Sequence, residues 1–196
     1  MNRLLQRLSE EGYVDEADVK VVAYGLQRIR ELLIDVTGTL ILGILMDEVI
    51  AAVVFEMVYI PLRLYAGGYH ASSERRCKYL SWVSIILSIA VIHCVPIPEK
   101  IQHLFVLITI IIIFLWAPVE SENKPLYEME RKVFRCRSIV IVLVESAIYI
   151  LMFKCGGDMC AKAICIAMML VGGGEVWGAI SQMSRRLKCR CYKRLK

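Results

Sequence analysis

Apolar residues run through this chain in long blocks, and charged residues or proline punctuate the blocks. Six stretches stand out, at Ile29–Met46, Val49–Ala66, Tyr79–Val95, Ile101–Val119, Ser138–Phe153 and Met159–Ile180. A helix needs about 20 residues to cross the hydrocarbon core of a bilayer, with a range of about 17–25, so the pattern predicts about six transmembrane helices. The fourth and sixth are comfortably long and the fifth is short. The first two are parted only by Asp47-Glu48 and carry Asp35, Glu56 and Arg63. Charges in such places favour a hairpin of tilted or partly buried helices over two plain lipid-facing spans. Four spans with two interfacial helices is the alternative that the same pattern allows. The expected fold class is all-α, a polytopic membrane protein forming one domain over residues 1–196.

Ahead of the first block, residues 1–28 are more polar, with Leu4, Leu5, Leu8, Val19, Val21, Val22 and Leu26 at partly helical spacing. That spacing predicts an amphipathic surface helix or two. Glu10, Glu11, Asp15, Glu16 and Asp18 argue against a cleaved signal peptide, whose apolar core would follow directly on a basic start. Residues 29–180 are then the membrane helices and 181–196 a basic tail.

Composition sharpens the reading. The chain has 196 residues, of which 58% are hydrophobic and 22% charged, and its mean hydropathy is +0.58. Soluble domains carry about 45–50% apolar residues on a similar count, so a disordered chain and an ordinary cytosolic enzyme are both excluded. Charge sets the orientation. With six spans, all of the 24 Lys and Arg except Lys100, Lys154 and Lys162 fall on one side. Basic loops stay in the cytoplasm, so both termini are expected there, together with the loops after the second and fourth spans. The net charge of +5 therefore speaks for anionic lipid and against nucleic acid.

One cytoplasmic loop concentrates the chemistry. It runs Arg63-Leu-Tyr-Ala-Gly-Gly-Tyr-His-Ala-Ser-Ser-Glu-Arg-Arg-Cys-Lys78. Cysteine chemistry needs thiolate, which neighbouring cations and a helix N-terminus favour. Arg75, Arg76 and Lys78 are the cations, and Ser72 or Ser73 is a candidate N-cap for the third helix. His70 could serve as the base. Seven residues of straight helix would hold it about 10 Å from Cys77, so a direct pair requires the chain to fold back, which Gly67-Gly68 allows. Spacing alone leaves a second reading open, a loop histidine and a helix-start cysteine with no shared task.

The string Arg63-x-Tyr65-Ala66-Gly67-Gly68-Tyr69-His70-Ala71, with Cys77 following His70 after six residues, resembles the signature of the accessory gene regulator B (AgrB) family. Members are membrane cysteine endopeptidases of bacterial peptide quorum sensing. The resemblance extends over most of the chain, taking in Trp116-Ala117-Pro118 after the fourth span and Glu122-Asn123-Lys124-Pro125, which is similar to the family's Lys-Pro loop. It implies Cys77 as nucleophile and His70 as general base, with Arg63, Gly67, Gly68, Lys124 and Pro125 in supporting or substrate-binding roles. The implied substrate is an AgrD-like propeptide, cut toward its C-terminus through a thioester on Cys77. A cysteine within the substrate would then attack that thioester and release a cyclic thiolactone. The family also suggests a homodimer, and the basic residues described above suggest contact with membrane lipid. No metal or organic cofactor is expected.

Other signals are weaker. Glu56, Glu145 and Glu175 are carboxylates within apolar helices, which makes them functional candidates by default. They also frame the rival reading, a non-enzymatic transporter exporting a small peptide, with a membrane adaptor as a third option. Arg63 and Glu56, seven apart on one face, could instead form a structural polar cluster. Cys155, Cys160 and Cys165 lack zinc spacing, though Cys155 and Cys160 could form a disulfide. Cys189-x-Cys191 in the basic tail permits metal binding or acylation and indicates neither. His93 and His103 fall near the face opposite His70. Gly172-Gly173-Gly174 is expected to let the sixth helix pack closely or kink.

Overall fold

A computed structural model describes residues 18–68, 74–119 and 127–194. Among the described residues there are six helices and no strand: α1 Val19–Leu45, α2 Val49–Ala66, α3 Glu74–Cys94, α4 Glu99–Trp116, α5 Glu128–Lys154 and α6 Asp158–Arg194. Five of them, α2 to α6, are long and apolar enough to cross a membrane. The chain is thus an all-helical, multi-pass membrane protein. The first helix differs from the expected first span. It runs unbroken through the boundary drawn at residue 28 and carries Arg28, Arg30, Glu31 and Asp35 in its middle, so it is not among the five. The amphipathic segment expected before it lies mostly outside the described residues.

The α1–α2 hairpin forms as the pattern predicts. Its three-residue turn places Asp47 at φ 59°, and Glu48 N–H closes on the Gly43 carbonyl at 2.7 Å. A Cβ on Gly43 would come within 2.6 Å of the Ala52 Cβ, so glycine permits this close approach. Farther along, Thr39 donates to Glu56 at 2.5 Å. That bond takes up the Glu56 carboxylate, which the sequence allowed to pair with Arg63.

α6 lies at the centre. It packs on α2, α3, α4 and α5, and 56% of an apolar 18-residue stretch within Asp158–Ser184 is buried, a larger share than in the corresponding stretch of any other span. Small residues make this possible: Ala161, Ala163 and Ala167 are fully buried beside Ile164 and Met168. Lipid tails are as apolar as leucine, so close van der Waals packing replaces the hydrophobic drive of a soluble core. The outer helices turn apolar stripes outward, as Leu104, Leu107, Ile111 and Leu115 of α4 do.

Several boundaries move relative to the apolar blocks. α5 begins ten residues before Ser138, because Arg131, Lys132, Arg135 and Arg137 are good helix formers that a hydropathy reading passes over. α6 continues to Arg194 for the same reason. α4 stops at Trp116, short of the expected Val119, because Pro118 disfavours helical backbone at Ala117, which is extended at ψ 142°. The released Val119 crosses to the end of α2, where its N–H bonds the Ala66 carbonyl at 3.0 Å.

Candidate active site

The site is built on the end of α2. Gly67 follows the helix at φ 90° and Gly68 continues at φ 116°, both in the region that side chains disfavour. Space imposes the same choice. A Cβ on Gly67 would fall on the Val119 carbonyl oxygen, and one on Gly68 would fall on the Arg63 guanidinium. Arg63 reaches forward one turn and donates through Nη1 to the Gly67 carbonyl. Gly67 and Val119 also form an isolated parallel bridge, so the exit from α4 holds the exit from α2.

Across from this turn, α3 begins at Glu74 and places Cys77 in its first turn, half-buried. Helix N-termini leave amide N–H groups unpaired and carry a partial positive charge, which suits an anionic sulfur. Lys78 bonds Glu31 of α1 at 2.8 Å, and Arg28 meets the same carboxylate at 2.9 Å. The start of α3 is thereby tied to α1.

Cys77 and Arg63 line one cavity of about 560 Å³ between α2, α3 and α6. Tyr59, Ser81, Gly173, Gly174 and Trp177 line it as well. The glycine tract acts as its residues suggested. A Cβ on Gly172 would stand 3.2 Å from the Thr109 side chain of α4, and one on Gly174 would stand 3.5 Å from Arg63 Nη1. Next to the tract sits Glu175, wholly buried. Its carboxylate oxygens have no hydrogen-bond partner among the described residues, and the charge of Arg63 acts on them electrostatically.

Two side chains of α5 brace this end of the bundle. Arg137 donates to the Tyr65 hydroxyl at 3.2 Å and lies 5.2 Å from the centre of that ring. Arg135 donates to the Phe114 carbonyl at 3.2 Å.

Of the sequence-predicted site residues, the structure brings together Arg63, Gly67, Gly68 and Cys77. His70, Lys124 and Pro125 lie outside the described residues. Tyr59 and Val119 did not stand out in the sequence, although Tyr59 precedes Arg63 by one helical turn and so shares its face. Glu175 stood out only as a membrane carboxylate. The tract Gly172-Gly173-Gly174 directly before it was the signal that another backbone comes close there.

Three of the remaining candidates are accounted for by the packing around them or by their free thiols. His103 Nδ1 and the Tyr149 hydroxyl are 2.8 Å apart, and the imidazole meets the Phe153 ring edge-on at 4.9 Å. Cys155 and Cys160 are free thiols, so the disulfide that their spacing allowed is not formed. Among the described residues no group of three or more His, Cys, Asp or Glu is placed to hold a metal ion.

The family model described as accessory gene regulator B matches residues 1–181. The chain is 25% identical to AgrB-like protein 2 of Clostridium perfringens (strain 13 / Type A), over 89% of this chain and 85% of that protein. It is 26% identical to an AgrB-like protein of Clostridium perfringens (strain SM101 / Type A), over 90% and 86%. An AgrB-like protein of Listeria monocytogenes serotype 4a (strain HCC23) is 30% identical over 72% and 67%. No solved structure matches the chain.

Proposed function

This chain belongs to the accessory gene regulator B family of agr quorum sensing, and from that premise we propose that it is a membrane cysteine endopeptidase acting on an AgrD-like propeptide. Cys77 is the nucleophile and His70 its general base. The observation that carries this reading is the shared cavity, on which the one cysteine of the family signature opens beside Arg63 and the glycine turn.

In the first step His70 takes the thiol proton and the Cys77 sulfur attacks the scissile carbonyl carbon, forming a C–S bond while the carbonyl electron pair moves to oxygen. When that pair returns, the C–N bond breaks. The departing amine takes the proton from His70, leaving an acyl thioester on Cys77 and a free C-terminal fragment. A cysteine of the substrate then exchanges with Cys77 and closes a thiolactone of similar energy. Water has to be kept from the thioester meanwhile, and the apolar walls of the cavity suit that need. Gly67 and Gly68 support the site by letting the chain turn tightly past Arg63. Lys124 and Pro125, in the connection between α4 and α5, are assigned to substrate binding.

The distribution of basic residues supports placing both termini and the catalytic loop in the cytoplasm, with α1 as a sixth crossing. Residues 1–28 are then a cytoplasmic segment, 29–180 the membrane domain and 181–196 a lipid-facing tail. The test is co-expression of wild type, Cys77→Ala and His70→Ala with an N-terminally tagged AgrD-like propeptide. Only wild type is expected to shorten the propeptide at equal membrane accumulation, with a product one water lighter than the linear fragment. Cleavage by Cys77→Ala rejects the mechanism, and export of intact peptide by all three would favour a transporter.

A further inference from the structure

Formation of the thioester passes through a tetrahedral intermediate whose oxygen carries a full negative charge. Donors aimed in advance at that oxygen contribute a large share of catalysis in acyl transfer. The family resemblance assigns no such donor.

Two polar side chains reach the cavity from α2, Tyr59 and Arg63, one helical turn apart and facing the wall that carries Cys77. Arg63 donates through Nη1 to the Gly67 carbonyl. Tyr59 is differently placed. Its ring is held by stacking on Phe55, with centroids 5.5 Å apart and planes within 13°. Among the described residues its hydroxyl has no hydrogen-bond partner, and it is not among the unpaired polar atoms that are fully buried. The phenol lies within electrostatic reach of both Arg63 and Cys77. A fixed ring with an unspent O–H on the wall of a nucleophile's cavity is suited to receive charge that develops there. On α3 itself, Ser84 has already given its hydroxyl to the Leu80 carbonyl at 2.7 Å. Ser81 stands one turn below Cys77 on the same helix, so it borders the sulfur without facing it across the cavity.

We propose that Tyr59 is a catalytic residue whose hydroxyl donates to the oxyanion formed when Cys77 attacks the scissile carbonyl. The role rests on the peptidase reading above and names a group that this reading leaves open. The donation is made only to the tetrahedral oxygen, so its loss has to appear in kcat and leave KM nearly unchanged.

The experiment compares full-length wild type, Tyr59→Phe, Ser81→Ala and Cys77→Ala in membrane vesicles, with an AgrD-like propeptide as substrate. Tyr59→Phe keeps the ring and its stacking on Phe55, so membrane accumulation and alkylation of Cys77 by iodoacetamide, followed by peptide mass, are expected to match wild type. The expected result is a fall in kcat of about 100-fold with KM within about twofold. A kcat within about threefold of wild type, beside an inactive Cys77→Ala, overturns the role of Tyr59 and leaves the peptidase reading intact. A loss confined to KM overturns it too, since that marks substrate binding. So does a larger loss of kcat in Ser81→Ala than in Tyr59→Phe. Cleavage that survives Cys77→Ala overturns the peptidase reading and this role together.

Discussion

The two ends of the helix bundle use the same residue types to opposite effect. At one end His103 shares a 2.8 Å contact with Tyr149 and packs against Phe153, Lys162 donates to the Ile92 carbonyl at 2.5 Å, and Cys165 is wholly buried with its sulfur 3.5 Å from the Gln102 carbonyl. These three groups are spent on neighbours, while Gln102 Oε1 nearby is buried with no partner among the described residues. At the other end Cys77 is half-buried on a cavity, the Tyr59 hydroxyl has no partner among the described residues, and two positive-φ glycines hold Arg63 against its own helix end. Cysteine and tyrosine occur at both ends of this molecule. What separates the candidate site from the other end is whether a cavity reaches those groups and whether their hydrogen bonds are already committed.

Substitutions can break this contrast, and the largest effect falls on the two cysteines. Cys77→Ala should lower propeptide cleavage by at least about 1000-fold, whereas Cys165→Ala should leave the rate within a few-fold, both measured in vesicles at matched protein levels. Equal losses would erase the distinction between the two ends. Next come the glycines. Gly68→Ala places a Cβ on the Arg63 guanidinium at a φ that alanine disfavours. A cost of about 1–3 kcal/mol in detergent unfolding is expected, with a cleavage loss of tenfold or more. The same substitution at Gly173, where a Cβ meets nothing within 4 Å, should be far milder in unfolding.

The third test concerns the buried carboxylate behind the site. In a cycle of Glu175→Gln, Arg63→Gln and the double variant, unfolding should show a coupling of about 0.5–3 kcal/mol, and its absence would separate the two side chains. A smaller effect belongs to the opposite end. His103→Phe removes one hydrogen bond to Tyr149 and should cost about 1 kcal/mol of stability without changing kcat. Smallest is Lys78→Met, which breaks a half-exposed bridge to Glu31 and should shift unfolding by less than about 1 kcal/mol.

Much of this arrangement is legible in the sequence, and the reasons divide by physical cause. Six apolar blocks correspond to six helices among the described residues, since an apolar segment in lipid has to satisfy its own backbone hydrogen bonds. Blocks say nothing of where a helix ends in water, so α5 starts earlier than its block and α6 continues past the end of its own, into Arg- and Lys-rich turns. At the site, Gly67 and Gly68 could be read because a paired glycine at a helix end has few other uses. Cys77 could be read because its charged neighbours are adjacent in sequence. Glu175 and Val119 could not be assigned there. Glu175 acts on Arg63 from α6 and Val119 meets Gly67 from the exit of α4, each more than 50 residues away in the chain, and no local pattern encodes that meeting. Tyr59 falls between these cases, since its spacing from Arg63 is local but the cavity that gives the pair a purpose is not.

The central claim is a covalent bond between Cys77 and the substrate, and intact-mass measurement of the protein during turnover tests it most directly. Wild type quenched in acid while processing an AgrD-like propeptide should show an added mass equal to the N-terminal propeptide fragment less one water. The adduct should map to Cys77, disappear with hydroxylamine, and be absent from Cys77→Ala. Cleavage that proceeds at full rate with no adduct at Cys77, or with an adduct at another residue, would contradict the account.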